Sequence, residues 1–404
     1  MKFNIPQDVL YILNTLDEAG YESYAVGGCV RDCLLGKKPD DWDICTSATP
    51  DEIQMVFLGQ RLLKTGLKHG TLTLILQHKS YEITTFRTES GYSDSRRPDK
   101  VNFVASVEED LARRDFTVNA MAYNPKVGLI DLYGGQEDLE NKIIRCVGDA
   151  YERFCEDALR IMRAIRFSAV LGFGIEERTI AAIEKLSYKL KNIAIERINV
   201  EFTKTLLADD CINLYKYKDA LCAVISNIQK LDKNDCVTIK SLPKDKTKRL
   251  SLLLMSLFSD VGSIKTWLFE MRYDTKTTKE ICDIVSCKDT RIPIKLKETR
   301  HLVLEYGFDA VKNYFEIQNA VTGKGEYKNV LSMLDEIIKN ELCISVSQLK
   351  IDGQKLIELG VQKGPQIGKV LNKLLDLVID EKIENTEETL INAAILWCEE
   401  NIND

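Results

Sequence analysis

The feature that most constrains this chain is the segment of residues 24–46, which reads YAVGGCVRDCLLGKKPDDWDICT. Its short apolar run ending at Val26 predicts a buried strand, and the two glycines that follow predict a sharp turn. Residues 29–35 then predict a short amphipathic helix that ends at Gly36. A chain with this order must place a helix N-terminus directly beside the end of a strand.

This glycine turn is a candidate anion-binding site. Backbone N–H groups at a turn that enters a helix N-terminus favour negative charge. Gly28 lies at the turn, and the nearby Arg31 would add a planar guanidinium that suits phosphate oxygens. The plain alternative remains open, because a lone double glycine is usually only a turn and Asp32 could simply cap the helix or pair with Arg31.

A second strand is predicted at residues 41–44, where two aspartates flank a tryptophan. Residues two apart on a strand share a face, so Asp41 and Asp43 present paired carboxylates. Asp40 and Trp42 then point away. An isolated Asp-x-Asp is more often two solvated surface acids than a metal site. Beside a phosphate-binding turn, however, the pair indicates Mg²⁺ that holds a nucleoside triphosphate.

Composition limits the class of protein. The chain has 404 residues, which are too many for one core, so two or more domains are expected. A net charge of −7 argues against a general nucleic-acid coat but allows a local basic groove. Twelve cysteines without a Cys-x-x-Cys pair, and three histidines, argue against a zinc site and indicate a reducing, cytoplasmic location. No apolar run approaches the ~20 residues that span a membrane, and no signal peptide is evident.

The blocks VGGCVRDCLLG and PDDWDICTSATP resemble the head of the class II tRNA nucleotidyltransferases, the family of bacterial CCA-adding enzymes and poly(A) polymerases. The resemblance implies an α/β head with a mixed sheet like that of polymerase β. It also implies two Mg²⁺ ions as cofactors and transfer of a nucleotide from CTP or ATP to a tRNA 3′ end. Asp40 departs from the family, which more usually has an uncharged or basic residue there.

The same resemblance implies an elongated, multidomain chain in which an all-α neck, body and tail follow the head. We predict a catalytic head at residues 1–138, a neck at 139–207, a body at 208–300 and a tail at 301–404. The resemblance covers residues 20–207 strongly and 350–395 faintly. Because the family's tail holds the tRNA elbow, the implied partners are the acceptor stem and elbow of tRNA, together with ATP and CTP.

Glu82 lies on a predicted strand, residues 81–85, that pairs with residues 71–76. One interpretation is an edge strand whose acid faces solvent. The other is a third catalytic carboxylate near the metals, since neighbouring strands lie only about 4.8 Å apart. The family has an acid at this position in its YExTTF motif, which implies a catalytic role for Glu82.

Two downstream motifs also match the family. The stretch RRDFTVNA maps the family's triphosphate-contacting arginine to Arg114, with Asp115 and Asn119 expected to brace the loop. Residues 150–170 predict a continuous helix and contain EDALRIMRAIRF. The family's nucleotide-binding residues map there to Asp157, Arg160, Arg163 and Arg166.

The resemblance implies that Asp157 and Arg160 contact the Watson–Crick edge of the incoming base. A carboxylate can accept a hydrogen bond from the amino group that both cytosine and adenine carry, so protein side chains could replace a template. The plain alternative is a solvated basic face with a weak Asp157–Arg160 pair.

Residues 86–99 lack periodicity and are rich in Gly, Ser, Asp and Arg, which predicts a mobile surface loop. The plain alternative is a connector without a role. The resemblance implies more, because full CCA-adding enzymes of this family carry a flexible loop here and relatives that add only CC shorten or lose it. The predicted function is therefore template-independent addition of CMP and AMP to tRNA by two-metal nucleotidyl transfer.

Other functions make different demands on the sequence. An enzyme that adds only A shares these motifs and stays an open alternative. A poly(A) polymerase would be expected to have a longer basic C-terminal part. A tRNA-binding module without catalysis would show gaps in the motifs, and a small-molecule nucleotidyltransferase would not need the helical tail. The sequence leaves the oligomeric state open, with a homodimer as one option.

Overall fold

The computed structural model describes residues 3–90, 100–104, 106–323 and 325–401. The chain divides into two compact units, Met1–Cys236 and Val237–Asp404. The domain boundaries at residues 138, 207 and 300 stay predictions, because compactness alone does not separate a head from a neck or a body from a tail.

Strands are confined to the first unit of the described chain. They are β1 (Ser23–Val26), β2 (Asp43–Thr46), β3 (Arg61–Leu63), β4 (Thr71–Leu76), β5 (Lys79–Thr85), β6 (Arg87–Ser90), β7 (Lys100–Phe103), β8 (Met121–Asn124), β9 (Gly128–Asp131), β10 (Ile143–Ile144) and β11 (Gly174–Ile175). Short 3₁₀ turns in this unit cover Leu67–His69, Thr117–Asn119, Ser187–Asn192 and Ile228–Lys230.

Helices flank the strands in the first unit and make up the second. The first unit contains α1 (Gln7–Glu18), α2 (Gly28–Leu34), α3 (Pro50–Val56), α4 (Val107–Ala112), α5 (Gly135–Glu140), α6 (Ala150–Glu156), α7 (Leu159–Leu171), α8 (Glu177–Leu186), α9 (Ile195–Leu206), α10 (Ile212–Lys216) and α11 (Lys218–Leu221). Next come α12 (Lys233–Ser241), α13 (Lys246–Leu257), α14 (Val261–Glu270), α15 (Thr275–Ser286), α16 (Leu296–Tyr306), α17 (Phe308–Thr322), α18 (Lys328–Lys339), α19 (Gly353–Glu358), α20 (Pro365–Ile379) and α21 (Glu387–Asn401).

A seven-stranded mixed sheet forms the centre of the first unit, in the order β3-β4-β5-β2-β1-β8-β9. Strands β2 and β5 run parallel, and the other neighbours are antiparallel. The predicted mixed sheet is confirmed. The parallel register places Asp43 opposite Glu82 and Ile44 opposite Ile83, so carboxylates and core residues each lie side by side.

Apolar residues cover the sheet where the sequence pattern predicts. Helix α1 packs on β1 and buries an apolar stripe at Val9, Ile12, Leu13 and Leu16. A separate cluster joins Tyr24 and Val26 of β1 to Val107 and Leu111 of α4. These contacts fix β1, and with it the glycine turn that follows.

Two local predictions differ from the structure. Residues 87–90, predicted as loop, form β6 and pair antiparallel with β7. Their sequence, Arg-Thr-Glu-Ser, is polar throughout, so the alternation that marks a half-buried strand is missing. The rest of that predicted loop, residues 91–99, lies outside the described residues. The remainder of the chain is mostly helical as predicted, except that β10 and β11 form a two-residue parallel pair.

The second unit is helical and contains a buried arginine at its core. Arg300 is 4% exposed and donates to the backbone carbonyls of Cys343, Val378 and Ile379 over 2.8–3.3 Å. It thus caps the C-terminal end of α20, where carbonyls lack partners within the helix. No single helix of the described chain is long and apolar enough to cross a membrane. The pair α13 and α14 together has the length and composition of a membrane span, but the two helices are bent by 118°.

We expect Gly135→Ala to lower the free energy of unfolding by about 1–3 kcal/mol. A Cβ at Gly135 would lie 2.5 Å from the carbonyl oxygen of Thr117 and 2.9 Å from the Met121 side chain. Gly368, inside α20, has no such neighbour within 4 Å, so Gly368→Ala should be neutral or stabilise by about 0.5–1 kcal/mol. Urea unfolding of both variants checks this, and equal effects would contradict the close approach.

Candidate active site

Two carboxylates project into solvent where β2 begins. Asp41 lies two residues before Asp43, the first residue of β2, so the strand starts two residues later than predicted. The predicted alternation nevertheless holds, because both aspartates are exposed while Trp42 between them is 7% exposed. Asp41 and Asp43 therefore form an open acidic edge.

Glu82 lies next to this edge. Its strand, β5, pairs with β4 on one side and β2 on the other, so the alternative of an edge strand is wrong. Although Asp43 is exposed, crowding by protein atoms raises the pKa of its carboxyl, and the charges of Glu82 and Asp41 raise it further while Arg114 opposes the shift. The three acids and one arginine are thus close enough to interact.

This donor set suits a hard divalent cation. Within the described residues, no three His, Cys, Asp or Glu side chains come close enough together to enclose a metal ion. Mg²⁺ rarely uses such an all-protein cage and prefers one or two carboxylates with water and substrate phosphates. A cation beside Asp43 would also offset the desolvation and the acid–acid repulsion that together raise the pKa of its carboxyl. Two exposed carboxylates therefore fit Mg²⁺, with Glu82 as a neighbour rather than part of a closed cage.

The glycine turn depends more on Gly27 than on Gly28, the residue that the sequence indicated. Gly27 has a φ of +79°, and a Cβ there would lie 3.0 Å from Nη1 of Arg114. Gly28 begins α2, and a Cβ there would make an ordinary contact of 3.6 Å with Arg31. The missing side chain at Gly27 thus lets Arg114 approach the turn.

Arg31 links the turn to a distant loop. Its Nε donates to Asp32 at 2.9 Å, so the pairing that the sequence allowed for Asp32 is present. Its Nη1 also donates to the amide oxygen of Asn119 at 2.7 Å. Asn119 therefore braces Arg31, a partner 88 residues away in the chain.

Asp110 holds the arginine pair and was missed from the sequence. It is fully buried and accepts hydrogen bonds from Arg113 at 2.7 Å and Arg114 at 3.0 Å. Burial opposes ionisation, but the two guanidinium groups outweigh it and lower the pKa of Asp110. Asp110 lies three and four residues before these arginines, which directly follow α4, and that spacing was the available signal. Nε of Arg114 is buried and has no hydrogen-bond partner among the described residues.

The predicted continuous helix over residues 150–170 is wrong at one point. Helix α6 ends at Glu156, and α7 begins at Leu159. Asp157 between them is extended, with φ −138° and ψ 103°, and its carboxylate accepts from the backbone N–H of Leu159 at 3.0 Å. Aspartate competes for backbone donors in this way, which explains the break.

Asp157 and Arg160 each have a partner other than one another. Asp157 accepts from Arg197 of α9 at 2.9 Å. Arg160 is 8% exposed and donates to the carboxylate of Glu156 at 2.5 Å and the carbonyl of Arg113 at 3.0 Å. Arg160 thus ties α7 to the loop that carries the two arginines.

The remaining two arginines of α7 also have carboxylate partners. Arg163 pairs with Asp115 at 2.6 Å, and this guanidinium lowers the pKa of the buried Asp115 carboxyl despite the cost of burial. Arg166 pairs with Glu201 of α9. Asp115 therefore braces this region as expected. Glu201 was missed, because no local spacing connects it to α7.

Family models match most of this chain. Residues 23–145 match the poly A polymerase head domain, and residues 243–394 match tRNA nucleotidyltransferase domain 2. Residues 172–216 match a model described as a probable RNA and SrmB binding site of polymerase A.

Whole-chain relatives agree with these models. A CCA-adding enzyme of Lactobacillus delbrueckii subsp. bulgaricus is 38% identical over 94% of this chain and 95% of its own. One from Ligilactobacillus salivarius is 39% identical over 99% of both chains. The crystal structure of the Bacillus stearothermophilus CCA-adding enzyme in complex with CTP matches with a TM-score of 0.84 at 29% identity, covering 98% of each chain.

We expect Asp110→Asn to destabilise the protein by about 3–5 kcal/mol near pH 7, because it leaves two guanidinium groups without their buried anion. Since the folded-state pKa of Asp110 is lowered, its stabilisation is present above the unfolded pKa of about 4 and is lost as the pH falls through the folded value. The difference in melting temperature between wild type and variant should therefore be large at about pH 5–7 and narrow below about pH 4.

Glu109→Gln is the matched control, because Glu109 neighbours Asp110 on α4 but is exposed. It should leave the melting temperature nearly unchanged across the same pH range. If the difference in melting temperature between wild type and Asp110→Asn stays constant down to the lowest pH, Asp110 is not the ionised partner of the two arginines.

Proposed function

The chain belongs to the family of CCA-adding tRNA nucleotidyltransferases, and on this premise we propose that it adds CMP and AMP from CTP and ATP to the 3′ end of tRNA without a template. The observation that carries the proposal is the joining of an open acidic edge, Asp41 and Asp43, to the Gly27 turn and Arg114. These groups suit the two charged parts of a metal-bound nucleoside triphosphate.

The proposed reaction is attack by the tRNA 3′-hydroxyl on the α-phosphate, with release of pyrophosphate. Asp41 and Asp43 would hold divalent metal, which we propose to be two Mg²⁺ ions; such ions neutralise phosphate charge and lower the pKa of the hydroxyl. Glu82 would add negative charge beside Asp43 and so strengthen cation binding. Positioning and charge neutralisation would then supply most of the rate acceleration.

The triphosphate would lie against the glycine turn. Arg31 and Arg114 both approach this turn, as the contacts of Gly27 and Gly28 indicate. The buried Nε–H of Arg114 has no acceptor among the described residues. A phosphate oxygen would accept a hydrogen bond from it. Asp110 would keep Arg114 in place while leaving that donor available.

The base would be recognised at the break between α6 and α7. We assign base contacts to Asp157 and Arg160, and we place Arg163 and Arg166 in the same pocket. Cytosine and adenine both present an amino group to a carboxylate, whereas uracil and guanine present a carbonyl at that edge. Since Arg197 already holds Asp157 at 2.9 Å, the base would be recognised by an oriented carboxylate.

The tRNA acceptor stem and elbow are the proposed macromolecular partner. The matches to a tRNA nucleotidyltransferase domain at residues 243–394 and to an RNA-binding segment at 172–216 support it. A reducing cytoplasm, where tRNA is processed, is the proposed location.

The decisive experiment supplies purified protein with tRNAs that lack the last three, two or one nucleotides of the CCA end, and with each nucleoside triphosphate separately. We expect CTP to extend the first two substrates and ATP to extend only the last, with no incorporation of UTP or GTP. Product lengths on a sequencing gel give the result. Extension by ATP alone would establish an A-adding enzyme, and no extension would contradict the proposal.

Replacing either metal-binding carboxylate should abolish turnover. We expect Asp41→Asn or Asp43→Asn to lower kcat by at least about a hundredfold, because charge stabilisation of the transition state is lost. Filter binding should show tRNA affinity within about threefold of wild type, since an uncharged amide at this edge removes no RNA-binding cation.

Asp40→Asn is the matched control. Asp40 is an exposed neighbour of the acidic edge and lies outside the alternation that presents Asp41 and Asp43. It should retain turnover. Near wild-type kcat in the Asp41 or Asp43 variants would contradict the assigned metal site.

A further inference from the structure

One aromatic ring lies beneath three arginines of the candidate site. The guanidinium carbon of Arg166 lies 3.7 Å from the centre of the Phe167 ring. Those of Arg163 and Arg31 lie 5.3 and 5.5 Å from the same centre. All three distances fall within the ~6 Å over which a cation is attracted to the face of an aromatic ring.

We propose that Phe167 is a positioning residue for nucleotide binding, whose ring face holds Arg31, Arg163 and Arg166 together. The proposal rests on the function proposed above, in which Arg31 approaches the triphosphate and the other two line the base pocket. Phe167 itself contacts no reacting atom; it acts through the arginines.

The need for such a ring follows from the charges around it. Each of the three arginines has a carboxylate partner: Asp32 for Arg31, Asp115 for Arg163 and Glu201 for Arg166, with Glu201 also 3.9 Å from Arg163. Arg31 also donates to the neutral amide of Asn119. Three guanidinium groups within reach of one ring repel one another. The negative face of an aromatic ring offsets part of this repulsion and adds no negative charge that would repel a triphosphate.

Burial and aromatic packing hold the Phe167 ring in place beside the three arginines. Phe167 is 7% exposed, so its attraction to the cations is weakened little by water. Phe116, which is fully buried, packs edge-on against it with ring centres 5.7 Å apart and an interplanar angle of 77°. This contact fixes the orientation of the ring that the three arginines share.

The arrangement links two parts of the nucleotide site. Arg31 belongs to α2, beside the glycine turn, whereas Arg163 and Arg166 belong to α7. A shared ring would fix the distance between the triphosphate and base positions, and CTP and ATP would both depend on it.

The first test replaces the ring with an aliphatic side chain in the full-length protein. We expect Phe167→Leu to weaken binding of CTP and of ATP about tenfold each, as loss of partly desolvated cation–π contacts implies, with tRNA affinity unchanged. Phe57→Leu is the matched control, because Phe57 is 1% exposed and directly follows α3, which packs on α1 and β4. It should lower the melting temperature while leaving nucleotide affinity near wild type.

The second test separates electrostatics from packing. Fluorinated phenylalanines with one, two and three ring fluorines, placed at position 167, reduce the negative potential of the ring face with little change in size. Nucleotide dissociation constants should rise stepwise along this series, and the same series at position 57 should leave them flat. This test still decides the matter if Phe167→Leu does not fold.

The outcomes distinguish this inference from the proposed function. If the wild type neither binds CTP and ATP nor extends tRNA, the proposed function fails. If the wild type is active but nucleotide affinity is unchanged in folded Phe167→Leu, or is flat across the fluorinated series at position 167, the role of Phe167 alone is overturned.

Discussion

Charge neutralisation of partly buried arginines is the constraint on which the candidate site depends. Transferring a guanidinium from water into a protein costs several kcal/mol unless a partner is placed with good geometry. Four arginines of the first unit meet this condition with a carboxylate each: Arg114 with Asp110, Arg163 with Asp115, Arg166 with Glu201 and Arg197 with Asp157. These pairs connect α7, α9 and the segment that follows α4, so the same contacts that stabilise the fold also orient the donors.

The acidic edge of the site differs from these arginine–carboxylate pairs because it is open to solvent. Asp41 and Asp43 are exposed and adjacent to a further acid, Glu82, with Arg114 as the cation that acts on Asp43. An acidic edge facing a set of arginines is an electrostatic dipole, which suits a ligand that presents cations to one side and phosphates to the other. A chain with a net charge of −7 can therefore still bind a polyanion locally.

Local patterns predicted the parts of the site that depend on neighbours in the sequence. The alternation around Trp42 placed both aspartates on one face, and the double glycine placed the turn. The opposition of Asp43 and Glu82 needed the parallel pairing of two strands about 40 residues apart, which only sheet topology determines. The polar strand β6 was missed for a related reason, because its stability comes from pairing with β7 and not from its own alternation.

The carboxylate partners of the arginines also divide into those close in the sequence and those distant in the sequence. Asp110 lies within one helical turn of Arg113 and could have been found from spacing, whereas Arg197 is 40 residues from Asp157 and could not. In the proposed function this long-range pair bears on selectivity. Asp157 is already held by Arg197 and by the N–H of Leu159, so it cannot easily turn away from a base that lacks a donor. A carbonyl placed against it would leave a desolvated acceptor unpaired, at a cost of about 1–3 kcal/mol, or roughly tenfold to a hundredfold in affinity. Discrimination without a template would therefore come from the rigidity of the carboxylate as much as from its charge.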